Sequence, residues 1–132
     1  MREISIDMTG GVPAIDIKIW NQFTNIYNGA TLTLDTGAAT TTISHDILDA
    51  LGYKEWARGK KRIITASGIE YADEVIIDKL MIAGFELTNV EIYAHTFPPE
   101  SFSKGVIGIN VLSNFDLYIS FQRKILGLTP VN

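Results

Sequence analysis

The sequence predicts an all-β domain, a closed barrel or a sandwich, and three observations predict it. Apolar and polar residues alternate with period two along most of the chain, glycine-bearing turns separate the short runs, and helical periodicity is confined to one or two brief stretches. With 132 residues, a single domain over 1–132 is expected. A domain of this size buries roughly two-thirds of its unfolded surface and needs no disulfide or structural metal to fold.

Taken in order, Ile4, Ile6 and Met8 alternate with Glu3, Ser5 and Asp7. After the Gly10-Gly11 turn, Ile15, Ile17 and Ile19 alternate with Asp16 and Lys18, so the two runs predict a hairpin. Residues 31–35 and 40–43 are further β-prone stretches. Residues 44–52 predict a short helix: Ser44 caps its first amides and Asp46 suits the positive end of its dipole. Ile47, Leu48 and Leu51 form the apolar face of that helix, and Gly52 ends it. Strands at 62–65 and 71–77 flank a turn at Ala66-Ser67-Gly68. Short strands at 80–82, 85–87 and 90–93 follow, with Gly84 between the first two. Pro98-Pro99 stiffens a loop over 97–102. Val106-Ile107-Gly108 reads as a short apolar strand and 111–115 as a helical turn. Leu117, Ile119 and Phe121 then alternate with Asp116, Tyr118 and Ser120 in a last long strand, and Arg123-Lys124 turns the chain into 125–128.

Lys and Arg number 11 against 15 Asp and Glu, a net charge of −4. The basic cluster of Arg58, Lys60, Lys61 and Arg62 is too small for a nucleic-acid groove and reads as the solvated start of a strand. Cysteine is absent, which removes disulfides and thiolate metal sites. The alternating start, Met1 to Asp7, is neither a signal peptide nor a span, and no other run reaches spanning length. A soluble, cytoplasmic protein with no membrane or nucleic-acid partner is expected.

The chemistry-bearing segment is Leu32-Thr33-Leu34-Asp35-Thr36-Gly37-Ala38. It sets one carboxylate at the end of an apolar run, followed at once by a hydroxyl and a glycine whose amides can brace it. Asp46, Asp49, Asp73 and Asp78 read as solvated surface charges, so none supplies a second catalytic acid. His45 reads as an exposed first-turn residue and His95 as a loop residue, while Trp20 and Trp56 read as core or interface filler. If this carboxylate works as one of a pair, the other is Asp35 of a second copy.

Three segments line up in order: Asp35-Thr36-Gly37-Ala38, then Thr65-Ala66-Ser67-Gly68 at a hairpin tip, then Ile107-Gly108 ahead of a helical turn. Over 31–128 this arrangement resembles the retropepsin-like aspartic proteases, with bacterial and other cellular members a better match than viral ones. The resemblance implies a closed, flattened β-barrel with one or two short helices, working as a symmetric homodimer on a peptide or protein substrate. Asp35 of each copy would meet its twin at the two-fold axis. Thr36 would bond across the interface, Gly37 and Ala38 would complete the active-site loop, and Thr65, Ala66, Ser67 and Gly68 would form a flap. Ile107 and Gly108 would pack behind the catalytic loop.

Two carboxylates about 4 Å apart repel by roughly 4 kcal/mol at an effective dielectric of 20. As is general for aspartic-protease dyads, one proton then stays shared between them. The ionised member can take a proton from water while the protonated one donates to the scissile carbonyl. That chemistry requires no metal or other cofactor. Many retroviral relatives carry an acidic residue and an arginine where this chain has Ala39 and Ile109, so both ends of an internal ion pair are read as replaced by apolar residues. Asn110, where cellular relatives often carry Asp, is read as a minor change.

Two other readings start from the same residues. A retropepsin-like barrel without activity would serve as a peptide-binding or dimerisation module. Residues 35–41 also resemble the first phosphate loop of actin-like ATPases, but those folds need a second lobe and a far longer chain.

Overall fold

A computed structural model describes residues 1–53, 59–65, 68–101 and 103–131. Ten strands and two short helices follow one another as β1 (Arg2–Ser5), β2 (Ala14–Asn21), β3 (Ile26–Leu34), β4 (Thr42–Ser44), α1 (His45–Ala50), β5 (Lys60–Thr65), β6 (Gly68–Ile82), β7 (Phe85–His95), β8 (Gly105–Ile107), α2 (Ile109–Leu112), β9 (Phe115–Ser120) and β10 (Ile125–Pro130).

The larger sheet runs β2-β3-β8-β4-β7-β6-β5, and β2 also pairs with β6. That extra pairing closes the first six strands into a barrel and leaves β5 outside the ring, attached to β6 alone. Most neighbours are antiparallel, but β3 with β8 and β4 with β7 run parallel. The period-two pattern explains the interior: Ile15, Ile17 and Ile19 of β2 and Val75, Ile77, Leu80 and Ile82 of β6 are buried against Leu32, Ile43, Ile92 and Ile107.

The helix expected over 44–52 forms as α1, with Ser44 Oγ accepting from the Ile47 N–H at 3.3 Å. Two expected pairs of strands are merged. β6 runs unbroken through Asp78, and β7 runs through Asn89, which takes a positive φ of 52°. The expected N-terminal hairpin is corrected. β1 pairs with β10, and its run meets β2 only at an Asp7–Ala14 bridge. Alternation fixed which face of the run is buried, but Leu126 and Leu128 on β10, both fully buried, supply the partner. A second sheet of order β1-β10-β9 results. Among the described residues no helix is long and apolar enough to cross a membrane.

Candidate active site

β3 carries Asp35 to the barrel floor. Leu34 pairs in parallel with Ile107, and the Asp35 N–H continues the ladder by donating to the Ile107 carbonyl at 3.1 Å. The chain then turns sharply. Asp35 Oδ1 accepts from the Gly37 N–H at 2.9 Å, and the Ala38 N–H donates to the Asp35 carbonyl at 3.2 Å. Asp35 is half-buried, Thr36 and Gly37 are exposed, and among the described residues no cation pairs with Asp35. A carboxylate fixed by its own loop's amide, yet open on one side, can face a ligand or a second charged group.

β8 and α2 form the support. The N–H groups of Ile109 and Asn110 donate to the carbonyls of Ala38 and Ala39 at 2.8 and 3.1 Å. Gly108 lies so close beneath the loop that a Cβ there would stand 2.7 Å from the Ala38 oxygen and 2.9 Å from the Thr40 carbonyl carbon. Ile107 is fully buried. The segments singled out in sequence around Asp35 and Ile107-Gly108 are therefore in direct contact.

The structure adds a clamp that the sequence reading missed. Asn110 Oδ1 accepts from both the N–H and the hydroxyl of Thr41, at 2.8 and 2.9 Å, and Asn110 Nδ2 donates to the Glu91 carbonyl at 2.6 Å. The Thr41 hydroxyl in turn accepts from the Gly108 N–H at 3.0 Å. Thr41 is fully buried, and this chain of bonds ties the floor loop, α2 and β7 together. The one signal in the sequence was the polar Asn110 set between apolar residues, 69 positions from Thr41.

Of the two positions read as a replaced internal ion pair, Ala39 is exposed and Ile109 is 41% exposed, so neither is an interior site.

β5 and the outer half of β6 form a hairpin outside the ring. Its register runs from Lys60↔Asp73 to Thr65↔Gly68. Ala66 and Ser67, expected flap residues, lie outside the described residues, as do Trp56 and Arg58. Gly68 has φ +126°, a conformation that other residues avoid. Ile63, Glu70 and Ala72 from this hairpin line a mainly apolar pocket of about 220 Å³ with Thr42, Val106, His95 and Phe97. Val106 directly precedes Ile107 and pairs with both Thr33 and Thr42, so the pocket adjoins the Asp35 loop.

Among the other polar candidates, Lys60 and Lys61 form ion pairs with Asp73 and Glu74, at 2.7 and 3.7 Å. Asp73 is thus not a freely solvated charge: its side chain is only 14% exposed and also lies 3.9 Å from His45, itself half-buried rather than exposed. His95 ends β7 rather than lying in a loop, and its ring meets Phe97 edge-on at 5.5 Å. Trp20 is half-buried on the outer wall, edge-on to Tyr27 at 5.2 Å and 4.3 Å from Lys79 Nζ.

The family model of gag-polyprotein putative aspartyl proteases matches residues 27–114, a span holding the Asp35 loop, the hairpin and the Gly108 support. Among solved structures, a retropepsin-like aspartic protease from Rickettsia conorii is similar in fold, with a TM-score of 0.69 and 20% sequence identity. The match covers 96% of this chain and 87% of that one. No curated protein matches the chain in sequence.

Proposed function

This chain belongs to the gag-polyprotein putative aspartyl protease family, and on that premise we propose that it is an aspartic endopeptidase acting as a homodimer. Two Asp35 carboxylates meet across a two-fold axis and share one proton. The ionised one takes a proton from a trapped water, whose oxygen attacks the scissile carbonyl carbon. The protonated one gives its proton to the carbonyl oxygen. Collapse of the tetrahedral diol breaks the C–N bond, with a proton passing to the leaving nitrogen, and the pair is left with one proton again.

The observation that carries this reading is the bracing of Asp35. Its carboxylate is oriented by the Gly37 amide, the loop that carries it rests on Gly108, and the side chain remains half-exposed. In the dimer, Thr36, exposed beside Asp35, bonds across the axis, and Ala38 completes the loop. Thr65, Ala66, Ser67 and Gly68 act as a flap over an extended peptide, and Ile107 and Gly108 support the floor. The apolar pocket under the hairpin favours apolar side chains near the cut bond.

A fluorogenic peptide library, assayed from acidic to neutral pH with and without a pepstatin-type inhibitor, tests the proposal. Cleavage that the inhibitor blocks and that Asp35→Asn abolishes, with the fold intact, is expected. Undiminished turnover by Asp35→Asn would rule the mechanism out. A dimer that cleaves nothing would point instead to a binding module.

A further inference from the structure

We propose that Glu70 sets the substrate preference: the pocket shared by the β5–β6 hairpin and strands β4 and β8 takes a basic side chain, Lys or Arg. Its apolar stem lies on the pocket wall and its charged head meets the Glu70 carboxylate. The inference deepens the endopeptidase reading and rests on it for the cut bond. The pocket itself rests on the following geometry.

Side chains along a strand alternate between two faces, and cross-strand partners share one. In the hairpin Ile63 stands opposite Glu70, and Lys61 opposite Ala72, so these four share a face. Arg62, Ile64, Ile69 and Tyr71 share the other. The first face is the one turned to the pocket, because Ile63, Glu70 and Ala72 line it together with Val106 and Phe97. Ala72 is buried, and Ile63, Val106 and Phe97 are half-buried, whereas Glu70 is exposed. A cavity of about 220 Å³ thus has apolar walls and one carboxylate where it opens to water. Val106 joins this cavity to the chemistry. It pairs with Thr33 and Thr42, and the next residue, Ile107, accepts from the Asp35 N–H at 3.1 Å. A side chain in the pocket therefore belongs to a residue near the bond that the Asp35 pair cuts.

The cations of the hairpin are engaged elsewhere. Lys60 pairs with Asp73 at 2.7 Å, and Lys61, which shares the face of Glu70, pairs with Glu74 at 3.7 Å. Arg62 is on the opposite face. Among the described residues no cation pairs with Glu70. Its partner has to arrive with the ligand. A peptide lying in the pocket covers Glu70 and takes away its water. Under a purely apolar side chain the carboxylate is left desolvated and unpaired, which is unfavourable. An acidic side chain adds like-charge repulsion. A Lys or Arg side chain meets both demands of the pocket. Its methylene stem packs on Ile63, Ala72 and Val106, and its head stays at the polar edge and donates charge-assisted hydrogen bonds to Glu70.

Fluorogenic peptides differing at one position test the inference. Each position of an apolar peptide is replaced in turn by Arg, by its neutral isostere citrulline and by Glu, and kcat/KM is measured at neutral pH. At a position next to the pocket, Arg is expected to exceed citrulline roughly tenfold, with Glu the poorest. Glu70→Gln, a size-conserving change at an exposed position, is expected to bring the Arg-to-citrulline ratio close to one, and Glu70→Lys to favour Glu over Arg. Glu3→Gln removes the same charge from β1 and is expected to leave the ratio as it was, which separates a local contact from attraction by the net charge of −4. Cleavage with a ratio near one at every position, or with a ratio that Glu70→Gln does not change, overturns this inference and leaves the endopeptidase reading intact. If no peptide is cleaved, the same peptides, dye-labelled, are titrated by fluorescence anisotropy. Tighter binding of Arg than of citrulline peptides that Glu70→Gln abolishes supports the pocket without the endopeptidase reading, and equal binding or none overturns the inference.

Discussion

The loop around Asp35 and the β5–β6 hairpin are built on opposite plans. The floor is held from several directions at once: a parallel ladder through Ile107, the amides of α2 on Ala38 and Ala39, and the Thr41–Asn110–Gly108 chain. Beyond Asp73 the described ladder of β6 is with β5. β6 is one strand, yet Ile77, Leu80 and Ile82 in its barrel half are fully buried, while Ile69 and Tyr71 in its outer half are 59% and 65% exposed. Ile64, the cross-strand partner of Ile69, is 78% exposed. The proposed function accounts for the difference. A group that acts as catalyst would need one fixed geometry and so long-range supports, whereas a flap that meets and releases a peptide would keep fewer and more local contacts.

The strongest way to break this comparison is at the charge itself. Asp35→Asn keeps the size of the side chain and its bond from the Gly37 amide, so the fold should persist while the proton-transfer contribution, on the order of 10²–10⁴-fold in rate, is lost. Peptide turnover beside a circular dichroism melt checks both halves. Gly108→Ala is expected next. The added methyl would press on backbone that has no room to move, costing about 1–3 kcal/mol together with activity, as read by urea unfolding. Thr41→Val and Asn110→Leu each leave buried partners unsatisfied and should cost roughly 1–3 kcal/mol. If the clamp is one unit, the double variant will cost less than the sum.

The hairpin should answer differently. Ile64→Ser and Ile69→Ser remove exposed apolar surface and should change unfolding free energy by no more than about 0.5 kcal/mol, while shifting KM for peptide. A hairpin variant as destabilising as Gly108→Ala would erase the contrast.

The smallest effect at neutral pH concerns the barrel wall behind both regions. Burial raises the Tyr53 phenol to about 12, and its hydroxyl donates to the Trp20 carbonyl at 2.7 Å. Tyr27, bonded to Glu86, is also raised to about 12, chiefly by burial. These groups hold their protons in the folded chain while the unfolded chain loses them from about pH 10. Stability is therefore full below pH 10 and falls as the pH rises toward 12. A spectrophotometric tyrosine titration alongside unfolding checks the sign.

The parts of this architecture legible in the sequence were those with a local cause. Alternation located the strands, Ser44 and Gly52 bounded α1, and the Asp35, Gly68 and Gly108 segments stood out because their order along the chain resembles the family's. Pairings with distant causes were not legible. The Met1–Met8 run has the pattern of a hairpin strand, but its partner is β10, more than a hundred residues on. Asn110 looked incidental because the Thr41 that gives it meaning lies on another strand. Ala39 and Ile109 were taken for interior residues because the family's ion pair suggested an interior, whereas both face outward where α2 meets the loop.

The distance between the two Asp35 carboxylates in a crystal structure of the dimer tests the account most directly. Oxygens of the two copies within about 3 Å of each other, hydrogen-bond range for O–H···O, are the result predicted. A dimer holding them far apart, or a chain that crystallises and sediments as a lone barrel, would contradict it.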